Sequence, residues 1–183
     1  LAIHEALLLS RNGALSPGTV DYVDHMPVAI QRQSKAAWSA IGSPEEDAAY
    51  KGAFDQITDT IRRMKDRGIF IVFGTDLGGA LTLHRELELY QNVGFTPAEI
   101  LARATLEEAD YMGLGEEIGS IEPGKKADFL LVPGDPVEDL KAIKTIRLVS
   151  KGDTVYFPSE IYPRFGIRPF TDVPDVRAPA GIE

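Results

Sequence analysis

No cysteine occurs among the 183 residues, which excludes disulfides, thiolate metal sites and cysteine nucleophiles and leaves the redox compartment open. Histidine is scarce. There are three, His4, His25 and His84, and none has a partner at metal-ligand spacing. Positive charge is in deficit, with 19 Lys and Arg against 28 Asp and Glu and a net charge of -9. Nucleic acid and anionic membranes both call for clustered cations, so neither is an expected partner. No apolar run nears the roughly 18–20 residues needed to span a bilayer. Leu1 to Leu9 is apolar but carries His4 and Glu5 and lacks a basic leader, so it is expected to be an amphipathic helix and not a signal peptide. Glycine loops of the P-loop or dinucleotide type are missing, and Ser16 precedes a proline instead of sitting in a nucleophile elbow.

What is present is an ordinary globular mix, 44% apolar and 26% charged. Ser43-Pro44 with Glu46 marks a helix start and a capping box, and Phe54, Ile57, Ile61 and Met64 follow at helical spacing up to Gly68. Ile69 to Phe73 is a continuous apolar run with β-branched residues, which predicts a strand buried on both faces of a parallel sheet. It gives way to Gly74-Thr75-Asp76 and then Gly78-Gly79. A helix is predicted from about Leu81 to Val93, a second from the capping box of Thr96 and Glu99, and a third from Thr105 with Glu108. Ala14 to Val20 suits a strand end turning into a loop, and a helical piece is expected through Ile30 and Trp38. Beyond Gly115, short strands are expected at Ile118 to Ile121, Phe129 to Val132, Ile146 to Ser150 and Thr154 to Phe157, with a hairpin turn at Gly152-Asp153. From Pro169 the tail is expected to run extended over a surface. The organisation read from this is an α/β part over 1–114, a small β part over 115–157 and a tail over 158–183.

Asp76 is the strongest candidate for chemistry. Functional groups gather at the C-terminal ends of parallel strands, where a carboxylate can bind a divalent cation or take a proton from water. Its competing role is to cap the following turn through its own side-chain oxygens. His84, one loop further on, either faces the same cavity or is a surface or second-layer residue. Arg85 and Glu86 read as a solvated helix face, and Trp38, Tyr50 and Phe54 as packing residues.

Several stretches together resemble the amidohydrolase superfamily, near its prolidase-like and imidazolonepropionase-like members. They are Ile71-Val72-Phe73-Gly74-Thr75-Asp76, His84-Arg85-Glu86-Leu87-Glu88-Leu89 and Gly94-Phe95-Thr96-Pro97-Ala98-Glu99-Ile100-Leu101. Gly119-Ser120-Ile121-Glu122-Pro123-Gly124-Lys125-Lys126-Ala127-Asp128 is the most specific, and Val149-Ser150-Lys151-Gly152-Asp153-Thr154-Val155-Tyr156 closes the match. The resemblance implies the C-terminal part of a (β/α)8 barrel, about strands 7 and 8, plus part of a small β-sandwich. It implies a divalent metal, expected to be zinc, as one or two ions in the complete enzyme. Asp76 would be both metal ligand and proton shuttle for a metal-activated water that hydrolyses an amide or other C–N bond, including that of a dipeptide. Tyr22, Gly78 and His84 are the candidate substrate contacts.

The family's His-x-His pair, bridging lysine and mid-barrel histidines have no counterpart here. The expected partner is therefore a missing N-terminal part of the barrel, without which the chain should be inactive. Leucine at position 1 agrees with a cut or processed start. Two alternatives stand beside the hydrolase fragment. One is a non-catalytic association module that keeps the fold fragment. The other is a homo-oligomer that draws His4 and His25 toward Asp76 from different copies.

Overall fold

The computed structural model describes residues 1–175. The expected extended tail beyond that point, the end of the 158–183 segment, lies outside the described residues.

The chain opens with helix α1 (Ala2–Leu9) and passes through two short 3-10 turns, Pro17–Thr19 and Val23–His25, to α2 (Val28–Gln33). The long helix α3 (Pro44–Asp66) starts where its cap predicts. Ser43 accepts a hydrogen bond from the Glu46 amide, and Pro44 takes the first position. The box is not reciprocal, however: the Glu46 carboxylate accepts from the Gly42 amide at 2.7 Å, one residue further back than expected. Helix α4 (Ala80–Val93) ends on Gly94 in the left-handed conformation. Helix α5 (Pro97–Ala102) has the full capping box of Thr96 and Glu99. No new helix starts at Thr105. A π turn, Arg103–Glu107, carries the helix on into α6 (Glu108–Tyr111), and the Thr105 hydroxyl donates to the Leu101 carbonyl. Inside a running helix the threonine bonds backward to the preceding turn instead of capping forward.

The β part is a three-stranded antiparallel sheet of β1 (Phe129–Leu131), β2 (Leu148–Lys151) and β3 (Thr154–Tyr156), in that order. Phe129 faces Ser150, and the β2–β3 hairpin turns through Gly152 at φ 58°. A strand at Ile118 to Ile121 does not form; turns occupy that stretch, and Ala14 to Val20 likewise holds a 3-10 turn and no strand. After the sheet come α7 (Pro158–Ile161) and a final 3-10 turn, Tyr162–Phe165.

The Ile69 to Phe73 run departs most from expectation. It is extended chain with no strand partner among the described residues, and only one face is covered. Ile71 and Phe73 are buried, whereas Ile69, Phe70 and Val72 are each more than 40% exposed. A strand needs a neighbour to complete its ladder, and here side chains of the helix behind it act instead. Arg103 donates to the Ile71 carbonyl at 3.0 Å, and the Phe73 amide donates to Glu108 at 2.5 Å. The core lies on the covered side. Phe73 stacks on Tyr90 with ring centres 3.9 Å apart, Phe95 meets Phe73 edge-on, and Leu89, Val93, Ile100 and Leu140 are almost fully enclosed.

Candidate functional site

Asp76 stands at the end of this extended segment with φ 53°, the one positive value on a non-glycine residue among the described residues. Left-handed backbone is costly for L-residues, although aspartate tolerates it better than most. The turn that follows does not depend on Asp76. Thr75 holds it, its hydroxyl accepting from the Leu77 amide at 2.7 Å and donating to the Leu77 carbonyl at 2.8 Å. Asp76 is left exposed. Thr82 then closes the start of α4 by donating to the Gly79 carbonyl at 2.6 Å.

Two adjoining cavities lie beside this loop. The smaller, of about 90 Å³, is walled by Leu77, Thr82, Tyr22, Trp38, Glu5 and Arg85. The larger, of about 470 Å³, continues from it past Tyr22 and Trp38 to Gln33 and Ile30, a volume in the usual range for small-molecule sites. Tyr22 lines both cavities, and burial pushes its phenol above the usual value. Gly78 sits on the exposed loop and lines neither.

His84 points elsewhere. Its ring is buried, lines neither cavity, and leaves Nδ1 without a hydrogen-bond partner. Burial first, and then the Lys144 charge, lower its pKa to about 4, against a smaller upward pull from Glu88. His25 is engaged by the chain's end: it stacks on Phe170 at 4.0 Å, and its Nδ1 meets the Arg168 carbonyl at 2.8 Å.

Sequence patterning missed the charged network behind the site. Arg85 forks onto Glu5 at 2.6 and 2.9 Å and reaches Glu88 at 3.0 Å. Burial pulls its pKa down, and these carboxylates more than offset that, leaving it above its ordinary value. Lys144 lies between Glu88 and Asp21. Asp21 is held below its usual pKa by hydrogen bonds from Lys144 and Lys141. Glu86 is fully buried and accepts from the Leu1 terminal amino group at 2.8 Å and from the Ala2 amide at the start of α1. Glu86 is therefore an interior group and Arg85 a half-buried, ion-paired one, and the two are not a solvated face. The only sequence signal was the crowding of three charges, Arg85, Glu86 and Glu88, into about one turn of α4. Trp38, expected to be a packing residue, is 59% exposed and lines both cavities.

No group of three His, Asp or Glu side chains among the described residues is placed to hold a metal ion. Asp76 offers one carboxylate, and one carboxylate does not fix a divalent ion. The residues of this chain therefore do not by themselves fit the metal that the resemblance implies.

The amidohydrolase family model matches residues 23–155. The chain belongs to the amidohydrolase family. Imidazolonepropionase from Shouchella clausii is 28% identical to this amidohydrolase chain over 169 residues, covering 84% of the chain and 36% of the relative. A 5-methylthioadenosine/S-adenosylhomocysteine deaminase from Symbiobacterium thermophilum is 31% identical over 88 residues, covering 41% of the chain and 20% of the relative. Among solved structures, a Xaa-Pro dipeptidase with methionine bound in its active site superposes with a TM-score of 0.55 at 26% identity, over 74% of this chain and 33% of that one. The chain thus spans about a third or less of the length of these relatives. No described helix is long and apolar enough to cross a membrane.

Proposed function

We propose that this chain is the C-terminal part of a hydrolase acting on an amide or other C–N bond, with Asp76 as the group that accepts the proton of the attacking water. The observation that carries this reading is the Asp76 backbone at φ 53° beside a turn that Thr75 already holds. A non-glycine residue in a sparsely populated conformation, with its carboxylate presented outward, is the pattern of a residue kept for function. In a complete site Asp76 contributes one donor toward a divalent cation such as zinc, and the remaining donors come from outside the described residues. Tyr22 bounds the substrate space, and Gly78 leaves room for substrate beside Asp76. The neighbours of the extended segment would come from a missing N-terminal part of the barrel, which would cover Phe70 and Val72. The family relatives differ in substrate by name, so the reading stops at the C–N bond class.

The test uses this chain co-expressed with the N-terminal part and assayed on dipeptides and N-acylated amino acids. Asp76→Asn should lower kcat by about 10²–10⁴-fold, the usual share of a general base, with KM little changed. A variant that keeps its rate would sink the reading.

The open edge of the Ile69 to Phe73 segment favours a second reading, a non-catalytic association module that retains the fold fragment. It predicts that the two parts bind one another yet hydrolyse none of these substrates.

A further inference from the structure

The wall of the two cavities beside the Asp76 loop has an unusual charge balance. The larger cavity is lined by hydroxyl, amide, aliphatic and aromatic side chains and by no ionisable carboxylate or cation. The smaller one touches Glu5 and Arg85, but these are paired with each other, and Arg85 is further held by Glu88. No unspent charge is therefore available to a ligand. An ionic substituent entering this space finds no free counter-charge, which disfavours it relative to a neutral one.

The polar groups divide in the same way. Ser10 accepts from the Trp38 amide, Ser34 donates to the Ile30 carbonyl, and Thr19 donates to the Ser16 carbonyl. Among the described residues the Tyr22 hydroxyl and the Gln33 side-chain amide, both on the cavity wall, make no such bonds and remain able both to donate and to accept. The Tyr22 phenol is protonated at neutral pH, and burial pushes its pKa further up. Trp38 presents a largely exposed ring at the junction of the two cavities, with Ile30 beside it.

From this arrangement we infer that the Tyr22–Trp38 cavity is a subsite for an uncharged, ring-bearing amide portion of the substrate, and that it selects against a carboxylate or ammonium at the same place. The ring would lie on Trp38, and the amide would bond to Tyr22 and Gln33. The inference rests on the reading of Asp76 as the reacting end of the site, since Leu77 joins that residue directly to the smaller cavity.

Trp38 is the one tryptophan in the chain, so its emission reports this cavity without labelling. The experiment titrates the 183-residue chain with N-acetylphenylalaninamide and, separately, with N-acetylphenylalanine, which differs in carrying a carboxylate. The neutral amide should bind at least tenfold more tightly. Gln33→Lys, an exposed position at the end of α2, should invert the preference by supplying the absent cation. Equal or tighter binding of the carboxylate by the native chain would overturn the inference, and so would failure of the neutral amide to move the Trp38 emission. Hydrolysis that survives Asp76→Asn in the complete enzyme is a different failure. It removes the catalytic reading and leaves these two affinities as measured.

Discussion

The Lys144 ammonium lies 2.5 Å from Glu88 Oε1, with the two side chains only 6% and 5% exposed. The same ammonium donates to Asp21 Oδ2 at 2.9 Å, and so ties the 3-10 turn Leu140–Lys144 both to α4 and to the segment that carries Tyr22. Removing one partner of a buried pair strands the other charge in a low-dielectric interior. Lys144→Met should therefore destabilise the chain by about 3–5 kcal/mol in urea denaturation. An effect near zero would mean that Glu88 is satisfied by Arg85 alone.

The same substitution has a second readout. Lys144 lowers the His84 pKa and Glu88 raises it, with burial the largest influence. Loss of Lys144 should move His84 upward from about 4, while burial still holds it below the ordinary value. Proton NMR titration of the folded variant reads this directly, and a downward or null shift would contradict the geometry.

His84 also sets a pH dependence. Its folded pKa of about 4 lies below the unfolded value of 6.5, so between the two the unfolded chain binds more protons. This contribution is fully present above the unfolded value and is lost as pH falls toward the folded one. The loss amounts to about 3 kcal/mol at most. His84→Phe should flatten that part of the stability profile between pH 6.5 and 4, read as urea midpoints across the range. An unchanged slope would assign the acid sensitivity to other groups.

Gly119 belongs to the most specific stretch of the family resemblance, and its place in the fold explains why a glycine stands there. Its φ is 97°, and an added Cβ would come within 2.8 Å of Ala109 Cβ and 2.9 Å of Leu106 Cα. The second obstacle is helix backbone, which cannot rotate aside. Gly119→Ala should cost about 2–4 kcal/mol from overpacking together with the left-handed conformation. Gly13, also at positive φ but with open space around it, provides the control and should lose about 1 kcal/mol on the same change.

Local signals carried most of the helices into view from the sequence. Ser43-Pro44 and Thr96-Pro97 are short-range devices whose partners lie within three or four residues, so their chemistry is written in the chain. The hairpin at Gly152 is equally local. Ile69 to Phe73 shows where such reading stops. Its composition fits a strand buried on both faces, yet pairing and two-sided burial depend on distant neighbours; among the described residues no strand pairs with it and one face alone is covered. The site divides along the same line. The position of Asp76, between an apolar run and a glycine loop, is a feature of the sequence. The Glu5–Arg85–Glu88–Lys144 chain was not, because its members come from three elements brought together only by packing.

The conformation of Asp76 allows a test of whether the residue is kept for folding or for chemistry. At φ 53° a side chain other than glycine carries a backbone cost, and glycine relieves it. The neighbouring turn does not need the carboxylate, because Thr75 supplies both of its side-chain hydrogen bonds. Asp76→Gly should thus leave stability unchanged or raise it by up to about 1 kcal/mol, with the greater freedom of glycine in the unfolded chain offsetting part of the gain. In the complete enzyme the same variant should lose hydrolysis as Asp76→Asn does. Stability held or gained while activity falls is the behaviour of a residue retained against its folding preference. A clear loss of stability in Asp76→Gly, measured by thermal or urea denaturation, would instead make Asp76 a structural member of the loop.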